Sequence, residues 1–164
     1  MLIVITQDPE VRAFCQSASS NAVAWGSVFL LSVTSDQSKA TAELASALAG
    51  LTEADGLYIV AHGNDDEIGD DLEDGRTWGW TAAAIADLLA ENLTVKPGVI
   101  VFDACGGSVS TFSTKVALAL EQRPSGSKKL EGASLYGRNT STSSSFPSPK
   151  QVATSVDLQP VVVG

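Results

Sequence analysis

The chain contains one histidine and two cysteines, and these low counts exclude several classes of protein. Two cysteines form at most one disulfide, so the sequence lacks the framework of a disulfide-stapled secreted domain. One histidine with two scattered cysteines is too few for an ordinary zinc site of three or four His and Cys ligands. Any imidazole chemistry must therefore use His62.

Positive charge and long apolar runs are scarce as well. The chain has 10 Lys and Arg against 19 Asp and Glu, a formal net charge of -9. That charge repels nucleic-acid phosphates and anionic membrane surfaces. The first residues lack the basic segment of a secretory signal, and no apolar run approaches the roughly 18 residues of a membrane span. We therefore expect a cytoplasmic protein that binds neither nucleic acid nor membranes.

Glycine-rich site motifs are missing too. No Gly-x-Gly-x-x-Gly follows the first apolar run and no phosphate-binding P-loop is present, which disfavours nucleotide binding. No serine lies in a Gly-x-Ser-x-Gly turn, so a serine hydrolase of the α/β type is a poor fit.

Apolar runs alternate with helical patterns along the chain. Continuous apolar runs bounded by turn residues are typical of buried parallel strands. Their alternation with helices predicts an α/β fold, a three-layer sandwich with a mostly parallel central sheet flanked by helices. The predicted strands cover residues 2–6, 28–33, 57–61, 99–102 and 132–136, and the predicted helices start near residue 9 and cover 37–48, 81–92 and 109–121.

The length favours one domain over residues 1–164. Residues 64–80 are polar and are interpreted as a loop between two strands. A tract of only Ser and Thr at 140–145 is predicted to be mobile. The tail at 146–164 contains three prolines and is expected to be extended, either wrapping the domain or adding an edge strand.

His62 and Cys105 each end an apolar run, and each is followed by glycine. Ligands of open α/β sheets collect beyond the carboxyl ends of the strands. One strand-helix-strand crossover separates the two residues, so neighbouring parallel strands would place them side by side. An imidazole can take the proton of an adjacent thiol and leave a nucleophilic thiolate. The pattern predicts Cys105 as nucleophile and His62 as general base and acid.

Backbone amides next to these residues complete the predicted site. Glycine allows close approach of the backbone to a ligand. The amides of Gly63, Gly106 and Gly107 are therefore candidates for binding a developing oxyanion, as acyl transfer requires. A helix N-terminus just after Cys105 would favour the thiolate.

Two motifs resemble those of a known superfamily. Asp103-Ala104-Cys105-Gly106-Gly107 resembles the cysteine signature of caspases and, more closely, the Asp-x-Cys motif of metacaspases. Ala61-His62-Gly63-Asn64 is similar to the His-Gly motif of the caspase, clostripain and gingipain superfamily. The resemblance covers roughly residues 57–139. It implies a caspase-like fold and a cysteine endopeptidase acting on peptides or proteins, with Cys105 as nucleophile and His62 as its base.

The metacaspase likeness also implies a pocket in which Asp103 receives the side chain of a substrate Arg or Lys. Arg138 is a candidate to line the substrate pocket, with a surface salt bridge as the alternative. No cofactor is expected. The acidic residues between 65 and 74 leave three interpretations open, namely a solvated loop, attraction of a basic substrate, and a calcium site.

The remaining candidates favour structural roles. Cys15 is interpreted as a core residue, and Trp78 and Trp80 as packing anchors rather than a substrate platform. A second function stays open, a catalytically inactive caspase-like module that binds a partner protein. Gly-Gly-Ser follows Cys105 where metacaspases typically have His-Ser-Gly, and no activation linker is recognisable.

Overall fold

The computed structural model describes residues 1–32, 36–52, 56–71, 77–105, 109–123, 127–139 and 146–164. Over these ranges eight strands form a single sheet. The strands are β1 (Leu2–Val4), β2 (Val28–Leu30), β3 (Leu57–Gly63), β4 (Glu67–Asp71), β5 (Thr77–Thr81), β6 (Val99–Cys105), β7 (Ser134–Arg138) and β8 (Leu158–Val162). The α-helices are α1 (Pro9–Gln16), α2 (Gln37–Ala49), α3 (Ala82–Asn92), α4 (Ser110–Glu121) and α5 (Ser127–Leu130).

The main sheet has the strand order β2-β1-β3-β6-β7-β8. The first five of these strands are mutually parallel, and β8 pairs antiparallel with β7 at one edge. The predicted α/β fold with a mostly parallel central sheet is confirmed. Because β3 and β6 are central and covered on both faces, their sequences are nearly continuous apolar runs.

Helices and loops cover both faces of the sheet. On one face, Ile59 of β3 and Phe102 of β6 share an apolar core with the buried sides of α2, α3 and α4. On the other face, Tyr58 and Val60 of β3 lie in a second core. That second core also receives α1, the short 3-10 turn Ala22–Trp25 and part of the tail. The arrangement is consistent with the predicted three-layer sandwich.

Polar caps fix where the helices begin. The Asp8 carboxylate accepts hydrogen bonds from the backbone amides of Glu10 (2.8 Å) and Val11 (3.0 Å), with proline in the first turn of α1. Asp36 caps α2 in the same way. Such caps satisfy amides that have no partner inside the helix. The first turn of α1 is thereby anchored at the carboxyl end of β1.

The structure corrects the prediction of a loop at residues 64–80. The segment predicted to be a loop contains the antiparallel hairpin of β4 and β5, which continues from the end of β3. The tail both wraps the domain and adds an edge strand. Phe146 and Val152 enter the second core, and β8 extends the sheet. The Ser and Thr tract at 140–145 lies outside the described residues.

Among the helices of the described ranges, none is long and apolar enough to cross a membrane.

Candidate functional site

His62 and Cys105 are partners in the register of β3 and β6. The two strands are parallel neighbours, and both residues lie at their carboxyl ends. The predicted adjacency of these two strands is confirmed. Partners in a parallel register lie on the same face of the sheet, so the two positions open toward the same layer. The thiol of Cys105 and the amides of Gly106 and Gly107 lie outside the described part of the structure.

The His62 ring contacts a carboxylate that the sequence did not indicate as functional. Its Nε2 lies 3.9 Å from Oδ2 of Asp8, and the side chains are 23% and 37% exposed. This distance is within ion-pair range but too long for a hydrogen bond. His62 and Asp8 therefore form a half-exposed pair at the sheet edge that solvent can reach.

The turn that carries Asp8 is held by several hydrogen bonds. The buried carboxylate of Asp70 on β4 accepts from the Gln7 amide (2.8 Å) and from the Thr6 hydroxyl (3.2 Å). The same hydroxyl accepts from the Asp8 amide at 3.1 Å. Arg12 donates to the Thr6 carbonyl (3.2 Å) and to the Gln7 side chain (3.1 Å). The hairpin and α1 together fix the backbone beside the histidine.

Gly63 lies where the end of β3 meets the hairpin. A Cβ atom there would lie 2.3 Å from the Glu67 carbonyl oxygen and 2.8 Å from Ile68 Cα, and its φ of +154° disfavours other residues. This position therefore requires glycine for packing. Its predicted role in binding an oxyanion stays a prediction.

Asp103 and Arg138 form a buried ion pair on the same face of the sheet, below His62. Arg138 Nε lies 3.0 Å from Asp103 Oδ2, although the N–H is not aligned for a hydrogen bond. The Tyr58 hydroxyl donates to the same oxygen at 2.7 Å and accepts from Arg138 Nη2 at 2.9 Å. Asp103 and Arg138 are each 1% exposed. The three side chains form one closed polar cluster inside an apolar layer.

The cluster shifts the pKa values of two of its members. Burial, followed by the charge of Asp103, raises the pKa of the Tyr58 hydroxyl well above 10.0, so this hydroxyl remains a donor. Burial acts to lower the pKa of Arg138, but the Asp103 charge and the Tyr58 hydroxyl outweigh it and raise that pKa above its ordinary value. The guanidinium therefore keeps its charge in the core.

This geometry bears on the two predicted substrate-binding residues. The Asp103 carboxylate already binds the Arg138 guanidinium. Arg138 contributes to the wall of a cavity of about 580 Å³ lined also by Phe146, Pro147 and Asp157. The salt bridge of Arg138 is buried, so the alternative prediction for this residue, a salt bridge at the surface, is wrong. A substrate role for either residue stays a prediction.

Part of the acidic segment is bonded to α4. Asp65 accepts from the Thr111 amide in the first turn of α4 at 3.0 Å, and Asp66 pairs with Lys115 at 2.6 Å. The helix N-terminus expected to favour a thiolate at Cys105 therefore already holds a carboxylate. Within the described ranges, no group of three or more His, Cys, Asp or Glu side chains could hold a metal ion. Glu73 and Asp74 lie outside those ranges, and calcium binding stays a prediction.

Three further residues have the structural roles predicted for them. Cys15 is fully buried in the second core. Trp80 is 3% exposed and packs edge-on against Trp78, with the ring centroids 5.0 Å apart. Both indoles belong to the core under the hairpin, and neither forms an exposed platform.

Sequence reasoning missed Asp8 and Tyr58. Asp8 follows the predicted strand 2–6 and Tyr58 lies within the predicted strand 57–61, and neither is among the predicted site residues. A signal was present for Asp8, because the carboxyl end of any parallel strand beside β3 must lie at the same sheet edge as His62.

Comparison of the chain with protein-family models, with curated proteins and with solved structures finds no match in any of the three.

Proposed function

We propose that the protein is a cysteine peptidase of caspase-like fold in which Cys105 is the nucleophile and His62 its general base and acid. The observation that carries the proposal is the register of β3 and β6, which pairs the two residues at the carboxyl edge of a mostly parallel sheet. The half-exposed His62 supports it further, since a base in a sealed core could not reach a substrate.

The proposed reaction is acyl transfer. The Cys105 proton moves to the His62 ring, and the thiolate attacks the scissile carbonyl carbon. The amides of Gly63 and Gly106 stabilise the resulting oxyanion. His62 then gives its proton to the leaving amine. Water, activated by the same ring, hydrolyses the thioester and regenerates the thiol.

The substrate is a peptide or protein, and its preferred residue before the cleaved bond depends on Asp103. Cleavage after Arg or Lys requires the substrate cation to displace Arg138 from the buried Asp103 carboxylate. Displacing Arg138 would disturb the apolar packing around the cluster. Specificity is therefore tested with peptides of several residue types and not only with basic peptides.

The experiment is hydrolysis of a fluorogenic peptide panel with Arg, Lys, Asp or Leu before the reporter, with and without calcium. We expect turnover of at least one peptide that is lost in Cys105→Ala and His62→Gln. Cys15→Ala is the matched control, because it removes the other thiol from the buried second core and should keep activity. Absence of turnover across the whole panel would contradict the proposal.

A second candidate is a catalytically inactive module that binds a partner protein. The observation that favours it is that the Asp103 carboxylate and the N-terminus of α4, which were expected to bind a substrate cation and to favour a thiolate, already have internal partners. Asp103 binds Arg138, and Asp65 binds the N-terminus of α4. Partner capture that survives both Cys105→Ala and His62→Ala, in the absence of any peptide turnover, would select this function.

A further inference from the structure

Asp8 combines two contacts in one carboxylate. Its Oδ1 accepts both capping hydrogen bonds of α1, from Glu10 and Val11. Its Oδ2 is the oxygen that faces His62 Nε2 at 3.9 Å. Because Oδ1 is occupied by two backbone donors, the carboxylate cannot rotate without breaking the cap. The position of Oδ2 beside the imidazole is therefore set by the helix.

The same hairpin holds both partners of this contact. Gly69 of β4 is the register partner of His62 on β3. The next residue, Asp70, binds the Thr6 hydroxyl and the Gln7 amide just before Asp8. One short strand thus links the histidine to the turn that carries the carboxylate, across more than 60 residues of sequence.

We propose that Asp8 is a positioning residue for His62, an inference that rests on the proposed cysteine-peptidase function. The Asp8 carboxylate keeps the proton of the neutral ring on Nε2, so that Nδ1 is the nitrogen that exchanges a proton with Cys105. When the thiol proton moves to Nδ1, the ring becomes an imidazolium and the thiol a thiolate. Asp8, held in place by its cap, then stabilises the imidazolium, and the His62 ring moves to close the 3.9 Å gap, as separations in unliganded sites commonly close in working complexes.

The test uses Asp8→Asn, a variant that separates capping from positioning. Asparagine is an equally good N-cap, so its carbonyl oxygen keeps the bonds to Glu10 and Val11. The amide nitrogen then takes the place of Oδ2 and presents a donor to His62. A donor there favours the ring with an unprotonated Nε2, which is the opposite tautomer.

The first readout is the ¹⁵N spectrum of the ring, which belongs to one residue because His62 is the only histidine. At about pH 9, where an imidazole is neutral, we expect the proton on Nε2 in the natural protein and on Nδ1 in Asp8→Asn. The matched control is Asp36→Asn, which makes the same change at the cap of α2 and should leave the spectrum unchanged. A natural protein with its proton on Nδ1, or an Asp8→Asn spectrum identical to it, overturns the inference.

The second readout is the rate of Cys105 alkylation by iodoacetamide at pH 7, which needs no substrate. We expect Asp8→Asn to slow it about tenfold, since the imidazolium loses its carboxylate, while Asp36→Asn leaves it unchanged. A reversed tautomer with an unchanged alkylation rate overturns the positioning role. A reversed tautomer and slowed alkylation without turnover of any peptide support it and contradict only the peptidase function.

Discussion

Two clusters of ionisable side chains lie on the same face of the sheet, and β3 and β6 contribute to both. The lower cluster joins Tyr58 and Asp103 to Arg138 and is closed to solvent. The upper one lies at the register of His62 and Cys105, where His62 meets the partly exposed carboxylate of Asp8. The distance between them along each strand is a few residues. Because solvent reaches only the upper cluster, we interpret the lower one as a structural ion pair and the upper one as the candidate catalytic site.

Burial determines what each cluster contributes. In the closed cluster each charge has lost its hydration, so removing one partner leaves the other unpaired in an apolar layer. In the open pair, water solvates both groups, and a surface ion pair contributes only about 0 to 1 kcal/mol. The lower cluster should therefore dominate stability and the upper one reactivity.

The largest expected effect is on the closed cluster. Asp103→Ala should lower the free energy of unfolding by about 3–5 kcal/mol, because Arg138 is left charged and buried. His62→Gln, at the open pair, should change it by less than about 1 kcal/mol. Urea denaturation of both variants measures the comparison. Similar losses of unfolding free energy in Asp103→Ala and His62→Gln would contradict the assignment of a structural role to the lower cluster alone.

A second prediction concerns alkaline pH. The raised pKa of Tyr58 means that the folded protein keeps the hydroxyl proton when the unfolded chain has lost it. The resulting stability is fully present below pH 10 and is lost as pH rises from 10 toward the higher folded value, by up to about 1.4 kcal/mol per pH unit. Urea midpoints at pH 9, 10 and 11 should fall more steeply in the natural protein than in Tyr58→Phe. If the urea midpoint fell equally with pH in the two proteins, ionisation of the Tyr58 hydroxyl would not be coupled to folding.

The smallest effect separates the two roles of Asp8. Asp8→Ala removes the cap of α1 and should cost about 1 kcal/mol of stability, whereas Asp8→Asn should cost only a few tenths. Thermal unfolding of the two variants measures the difference. Equal losses would mean that the charge of Asp8, and not its hydrogen bonds to the helix, contributes to stability.

The sequence predicted the elements that local patterns define. The apolar run of β3 and the helical pattern of residues 37–48 were sufficient to locate a central strand and a helix, because burial on both faces and helical periodicity leave direct traces in a sequence. The pairing of β3 with β6 followed from the crossover between them.

The hairpin left no such trace. Its strand β4 reads Glu-Ile-Gly-Asp-Asp, which lacks the alternation of a half-buried strand. Close backbone approach defines it instead, since a Cβ on Gly69 would lie 2.1 Å from the Trp78 carbonyl oxygen. The contacts of Asp70 with Gln7 and of Tyr58 with Asp103 are equally invisible in one sequence, because they join residues far apart in the chain.

The most direct test of the central claim is the alkylation of Cys105 by iodoacetamide at pH 6 in the natural protein and in His62→Gln. Cys15 is buried, so the reaction reports on Cys105. An imidazole that shares a cleft with the thiol should make Cys105 react at least about tenfold faster than N-acetylcysteine, and His62→Gln should remove the excess. Equal rates in the two proteins would contradict the claim that His62 and Cys105 act together.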